Sequence, residues 1–185
     1  CASGLKGFKR NLTAGEILDE ALYLKNNTQG AGLPIGRAAG LTHIVFMGIG
    51  EPLDNYENVL KSIRVLNSPH AFNIGARRIT ISTSGIIPGI ERLISEDLQI
   101  ELSVSLHAAD DKRRSQIMPV NKKYPLADII KCCREYIAKT NRQITFEYIV
   151  IKGFNCGLDA ARDLSALLKD LRLAKVNLIP ANPIP

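Results

Sequence analysis

One feature constrains this chain more than any other: short β-branched or apolar runs alternate with segments whose apolar residues recur at helical spacing. Strands are predicted over residues 42–47, 78–83, 99–106, 144–151 and 175–179. Between them, helices are predicted over residues 56–66, 88–94, 126–140 and 158–171, the second opening on Pro88 in its first turn. Ile129, Ile130, Cys133, Tyr136 and Ile137 share one face of the 126–140 segment. Val59 and Ile63, with Val65, are the apolar members of the 56–66 segment. Ahead of the first strand, Thr13-Ala14-Gly15-Glu16 reads as a capping box, followed at helical spacing by Ile17, Leu18, Ala21, Leu22 and Leu24. A Gly-rich loop spans residues 30–40. Strands separated by helical crossovers define an α/β fold with a parallel sheet, because parallel neighbours need a long return connection.

Nothing divides the chain. No short-period repeat, low-complexity tract or linker interrupts its 185 residues, and a 45% hydrophobic content suffices for one core. The longest apolar stretch, Ile44 to Ile49, is far too short to span a bilayer, and no basic-then-apolar leader opens the chain. The first residue is Cys1 rather than Met, and the last residues, Asn182-Pro183-Ile184-Pro185, follow a strand where a helix is expected. The expectation is a core cut at both ends. The four cysteines, Cys1, Cys132, Cys133 and Cys156, form no disulfide framework, which suits a reducing cytoplasm. A net charge of +6 fits a polyanionic partner such as RNA.

Function in parallel α/β folds gathers at the C-terminal ends of the strands. Here those ends read Gly48-Ile49-Gly50-Glu51-Pro52, Ser82-Thr83-Ser84-Gly85, Ser103-Val104-Ser105-Leu106-His107, and Asn177 to Pro180 with Asn182. Any one of them could simply turn the chain, but four in succession at one edge point to a shared ligand pocket. Small residues let the backbone approach a ligand, and hydroxyls and amides suit ribose and adenine edges. No Gly-x-Gly-x-x-Gly follows a strand and no Gly-Lys-Ser/Thr loop is present, so dinucleotide and P-loop sites are disfavoured. Of the three histidines, His43 is expected to be structural and His70 to lie on the surface. Only His107 closes a strand at the candidate site.

In order along the chain, these segments resemble the radical S-adenosylmethionine (SAM) family of adenine carbon-2 methyltransferases, which act on 23S rRNA and on some tRNA. The resemblance rests on Cys1-Ala2-Ser3, Gly7 to Leu12, Met47 to Leu53, and Arg77 to Gly85 with its Ser-Thr-Ser-Gly. It continues through Ser105-Leu106-His107-Ala108, Pro119 to Tyr124 with its Asn-Lys-Lys-Tyr, Phe146-Glu147-Tyr148, and Asn177 to Pro183. It implies a partial open (β/α) barrel of the radical SAM type, with parallel strands and outer helices, and with the first strand lying before Cys1. It implies that Cys1 is the third ligand of a Cys-x3-Cys-x2-Cys motif holding a [4Fe–4S] cluster. Gly50 and Glu51 are implied to hold the methionine end of SAM, largely through their backbone, and Ser82, Ser105, Leu106, His107 and Asn182 to contact it along its length. The cluster then donates the electron that cleaves SAM into a radical. A flavodoxin or ferredoxin is the implied electron donor, RNA the implied partner, and no membrane is involved.

The same resemblance places the methyl-carrying Cys and the base Glu outside this chain, along with the first two cluster cysteines. No catalytic residue is therefore expected within it. Cys132, Cys133 and Cys156 are expected to be structural. Lys112-Arg113-Arg114 and Lys122-Lys123, joined by Lys6, Lys9 and Arg10, are candidates for RNA phosphate contact. Three alternatives stand beside this reading. A carbon-8 methyltransferase paralogue is not separated by these motifs. An iron-free phosphosugar barrel would want a Gly-rich phosphate loop after the last strands. A non-catalytic RNA-binding module would want stacking aromatics, which are only 5% of the residues.

Overall fold

In the computed structural model, residues 7–27, 41–47 and 49–182 are described. Five strands, β1 (Ile44–Phe46), β2 (Ile79–Thr83), β3 (Glu101–Ser105), β4 (Ile144–Val150) and β5 (Ala174–Pro180), form one sheet in the order β1-β2-β3-β4-β5. Every neighbouring pair is parallel. The helices are α1 (Ala14–Asn27), α2 (Tyr56–Asn67), α3 (Ile87–Ile94), α4 (Asp111–Ile117), α5 (Leu126–Thr140) and α6 (Leu158–Leu168). Sequential strand order with a helix or helices between successive strands is barrel-type winding, since a doubly wound sheet reverses its order partway.

The two faces of the sheet differ in chemistry, and the strands' period of two separates them. Ile79, Ile81, Leu102, Val104, Ile144 and Phe146 point to one face and are at most 1% exposed. They join Val59, Leu60 and Ile63 of α2, Ile90 and Leu93 of α3, and Ile129, Cys133, Tyr136 and Ile137 of α5 in a single core. All five residues expected on the inner face of α5 are buried. Fully burying side chains of this size contributes about 1.5–3 kcal/mol each. The other face carries the alternate residues. Register sets Ser82 beside Ser103, Ser105 beside Glu147, and Glu147 beside Asn177. That polar row is the inner wall of a partial (β/α) barrel, open between β1 and β5.

Local signals act as expected at several ends. Thr13 N–H donates to Glu16 Oε2 at 2.8 Å and Glu16 N–H donates to Thr13 Oγ1 at 3.3 Å, closing the capping box of α1. Arg10 adds an ion pair to Glu16 at 2.6 Å. Helix α5 stops at Asn141, whose φ of 53° is the left-handed cap that asparagine tolerates.

Other expectations are corrected. Strand β1 is shorter than residues 42–47, and Leu22 and Leu24 of α1 are exposed although their spacing suggested a buried stripe. Helix α4 is unforeseen: seven residues with two arginines carry too little periodicity to be seen. The 30–40 loop lies outside the described residues.

Candidate functional site

At the C-terminal edge of the sheet, each strand end is tied to the next. Glu51, just past β1, accepts from Leu53 N–H at 3.1 Å through one carboxylate oxygen. The other accepts from the backbone N–H and the hydroxyl of Ser84, both at 2.7 Å. This joins the β1 and β2 ends. Thr83 Oγ1 accepts from the N–H groups of Gly85 and Ile86 and closes the turn after β2. Leu106 and His107 both donate their N–H to Glu147 O, which ties β3 to β4. Ala181 N–H donates to Val150 O at 3.1 Å, which ties β4 to β5 one residue before Asn182.

His107 is the most constrained residue of this edge. Its φ of 59° is left-handed, unusual for histidine, and persists only where surroundings over-determine it. Asn155, a buried residue in the loop after β4, donates to His107 O at 2.8 Å and to Ile149 O at 2.7 Å. Ile149 N–H donates to His107 Nδ1 at 3.2 Å, so Nδ1 must be unprotonated and the ring proton sits on Nε2. Burial, and then the Arg114 charge, push the imidazole from 6.5 down to about 4. The folded value lies below the unfolded one. The stability this contributes is therefore present above about pH 6.5 and lost as pH falls through about 4. Nitrogen-15 NMR at pH 5.5 is expected to show His107 neutral with its proton on Nε2. A titration midpoint at 6.5, or a proton on Nδ1, contradicts this assignment.

The candidate ligands among the described residues fall at this edge. Gly50, with φ of +93°, is exposed, and a Cβ there would meet nothing within 4 Å. Ser82 and Ser105 lie on the polar face, and the Leu106 side chain is fully buried in the core, with its N–H given to Glu147 O and its carbonyl accepting from Arg114. Asn182 is exposed just beyond β5, and among the described residues its side chain bonds to none of the others. Cys1 lies outside the described residues. His70 is exposed as expected. His43, expected to be structural, is exposed as well, its ring against Thr42 Oγ1 at 3.1 Å.

Three groups hold roles that the sequence did not assign to them. Glu147 is a buried carboxylate on the inner wall, held by Ser103 Oγ at 2.8 Å and Asn177 Nδ2 at 2.7 Å. A lone charge between Phe146 and Tyr148 in a strand was the available signal. Asn155 and Arg114 gave none. The basic groups also change meaning. Arg114 is fully buried, and Arg113 is spent on Asp110, Asp159 and Asp163. Arg10 is paired, and Lys6 is outside the described residues. Lys9, Lys112, Lys122 and Lys123 remain exposed.

The donor set suits a nucleoside joined to an amino acid: hydroxyls, a neutral imidazole N–H, a terminal amide and an exposed glycine backbone. It does not suit an iron–sulfur cluster by itself. Among the described residues no three His, Cys, Asp or Glu side chains group to hold a metal.

Comparison with known proteins defines the class. The Radical SAM superfamily model matches residues 1–157, and the chain belongs to that superfamily. Over its whole length it is 50% identical to the probable dual-specificity RNA methyltransferase RlmN of Symbiobacterium thermophilum and 50% identical to that of Moorella thermoacetica. It covers 47% and 51% of those proteins. The crystal structure of a radical SAM methyltransferase from Sphaerobacter thermophilus superposes with a TM-score of 0.93 at 46% identity, covering all of this chain and 52% of that one. A domain of pyruvate-formate lyase-activating enzyme from Bacteroides vulgatus, at 19% identity and a TM-score of 0.56 over 77% of this chain and 82% of that one, shares the fold. The chain thus spans about half the length of the relatives it matches.

Proposed function

We propose that this chain is the radical SAM core of an RNA methyltransferase that methylates carbon 2 of an adenine in 23S rRNA and in tRNA. The observation that carries the reading is 50% identity along the entire chain to proteins named as probable dual-specificity RNA methyltransferases. In this reading residues 1–185 are one core domain of a longer, cytoplasmic enzyme. The described residues contain no helix long and apolar enough to cross a membrane. Cys1, with two cysteines N-terminal to it, would hold a [4Fe–4S] cluster, which when bound and reduced by a flavodoxin or ferredoxin would supply the electron for SAM cleavage.

This chain's own residues do the placing. The Glu51 carboxylate is committed to Leu53 and Ser84, so the turn meets the methionine end of SAM through its backbone, beside the exposed Gly50. Ser82, Ser105 and Asn182 offer hydroxyl and amide groups along the inner wall. His107 holds its proton at Nε2 and donates it as a hydrogen bond without becoming charged at neutral pH. Leu106 offers no side chain there, and Lys9, Lys112, Lys122 and Lys123 are the cations of those groups left for phosphate contact.

The test is methyl transfer. The full-length protein, reconstituted anaerobically and given SAM with a methyl label, should convert adenosine in a 23S rRNA fragment to 2-methyladenosine. Recovery of 8-methyladenosine, or no transfer to any RNA by a SAM-binding protein, would overturn the assignment.

A further inference from the structure

Arg114 has no obvious business in the interior. It is 0% exposed, and among the described residues no carboxylate forms an ion pair with it. Burial pulls it down from 12.5 to about 10, with Asp111 opposing. Taking a guanidinium out of water is expensive, and a tie made only for stability could be made from apolar residues.

All its donors are used, and on one task. Nε donates to Leu106 O at 3.1 Å, and Nη2 donates to Ser84 O at 2.7 Å and to Ser105 O at 3.0 Å. Nη1 donates to Asn121 Oδ1 at 2.7 Å and to Tyr124 O at 3.4 Å. Three of these five acceptors are backbone carbonyls of the β2 and β3 ends. Arg114 draws them to itself, away from the open edge. Together with the Glu147 and Asn155 contacts this pins residues 105–107 and imposes the left-handed His107. Only a planar fork with five donors reaches two strand ends at once; a lysine ammonium has three donors and no fixed plane.

The Asn-Lys-Lys-Tyr motif finds its role here. Buried Asn121 donates through Nδ2 to Asp111 Oδ1 at 2.9 Å and to Ser115 Oγ at 2.9 Å, which aims Oδ1 at Arg114. Asp111 Oδ1 also accepts from Leu126 N–H at 2.9 Å, anchoring the assembly to α5.

We infer that Arg114, aimed by Asn121, is a positioning residue for the cofactor site, holding the Ser84 and Ser105-Leu106-His107 backbone in the conformation that receives SAM. The inference rests on the cofactor reading proposed above. It is tested in the full-length, cluster-loaded protein with Arg114→Lys, which keeps the charge, and with Asn121→Ala, which keeps the arginine and guards against a lysine variant that does not fold. Ile63→Ala, a core truncation on α2, is the control for lost stability alone. The readouts are SAM affinity at equilibrium and the His107 ring nitrogen signals. Both variants should weaken SAM by about tenfold or more and shift the His107 signals, with the control close to wild type. Wild-type SAM affinity and unchanged His107 signals in the variants would overturn the inference, as would an equal loss in the control. A wild-type protein with no SAM affinity would instead sink the cofactor reading, and the His107 signals would still decide whether Arg114 positions that turn.

Discussion

Replacing Gly85 by alanine is expected to destabilise the domain by about 2–5 kcal/mol, the sum of a strained backbone and an overpacked core. Gly85 has φ of +100°, a region that side chains rarely enter. Its missing Cβ would stand 2.7 Å from Ile129 Cδ1 and 3.2 Å from Ile129 Cγ1, with Arg114 Nη2 at 3.6 Å. Ile129 is fully buried on α5 and has no room to retreat, and the turn is held by Thr83 Oγ1 on the other side. Domains are stable by only about 5–15 kcal/mol, so the loss is a large fraction of the total. It should appear as a lower urea midpoint with an unchanged slope. Ile129→Val removes the atom in closest conflict and should recover part of the loss in the Gly85→Ala background while costing stability alone. Two additive effects would show that the clash is not the cause.

The second large effect is all-or-none. Reconstituted anaerobically with iron and sulfide, the 185-residue chain alone is expected to hold no stoichiometric [4Fe–4S] cluster. The metal ligand is the thiolate, not the thiol. Cys132 and Cys133 are buried on α5; desolvation pushes Cys132 up to about 12 and raises Cys133 as well. As helix neighbours they also point in different directions. Cys156 is exposed but belongs to no group of three potential ligands among the described residues. Cys1 by itself is one thiolate where the family motif uses three. Extending the chain with a Cys-x3-Cys-x2 segment running into Cys1 should restore iron binding and the thiolate-to-iron absorbance. Cys1→Ala in that longer chain should remove them. A stable cluster in the short chain that vanishes with Cys156→Ala would assign Cys156 as a ligand and contradict its structural reading.

The structural reading of the cysteines divides accordingly. Cys133 is a core residue, as the helical spacing of the α5 face implied, and its neighbour Cys132 is buried as well. Cys156 is not; it sits exposed beside Asn155, the residue that grips the His107 carbonyl. The sequence places it in the loop between the 144–151 strand and the 158–171 helix, but exposure in a loop depends on what packs over the loop.

What the sequence determined by itself is what short-range periodicity can carry. The β-branched runs specified five strands, and the 3.6-residue spacing specified the buried face of α5 residue by residue. The polar strand ends, being adjacent to their strands, mark the candidate edge by local pattern alone. Tertiary structure alone decided how the charges are used. Lys112-Arg113-Arg114 reads as one basic patch, yet Arg113 is claimed by aspartates on either side, including Asp159 on α6, and Arg114 turns inward to carbonyls of β2 and β3. The Glu51 carboxylate has no partner legible in its own turn beyond Leu53; Ser84, from the end of the next strand, donates to it twice. The physical reason is common to all three. A side chain's partner is fixed by which distant segments the sheet brings within hydrogen-bond reach, and local pattern carries no record of that distance.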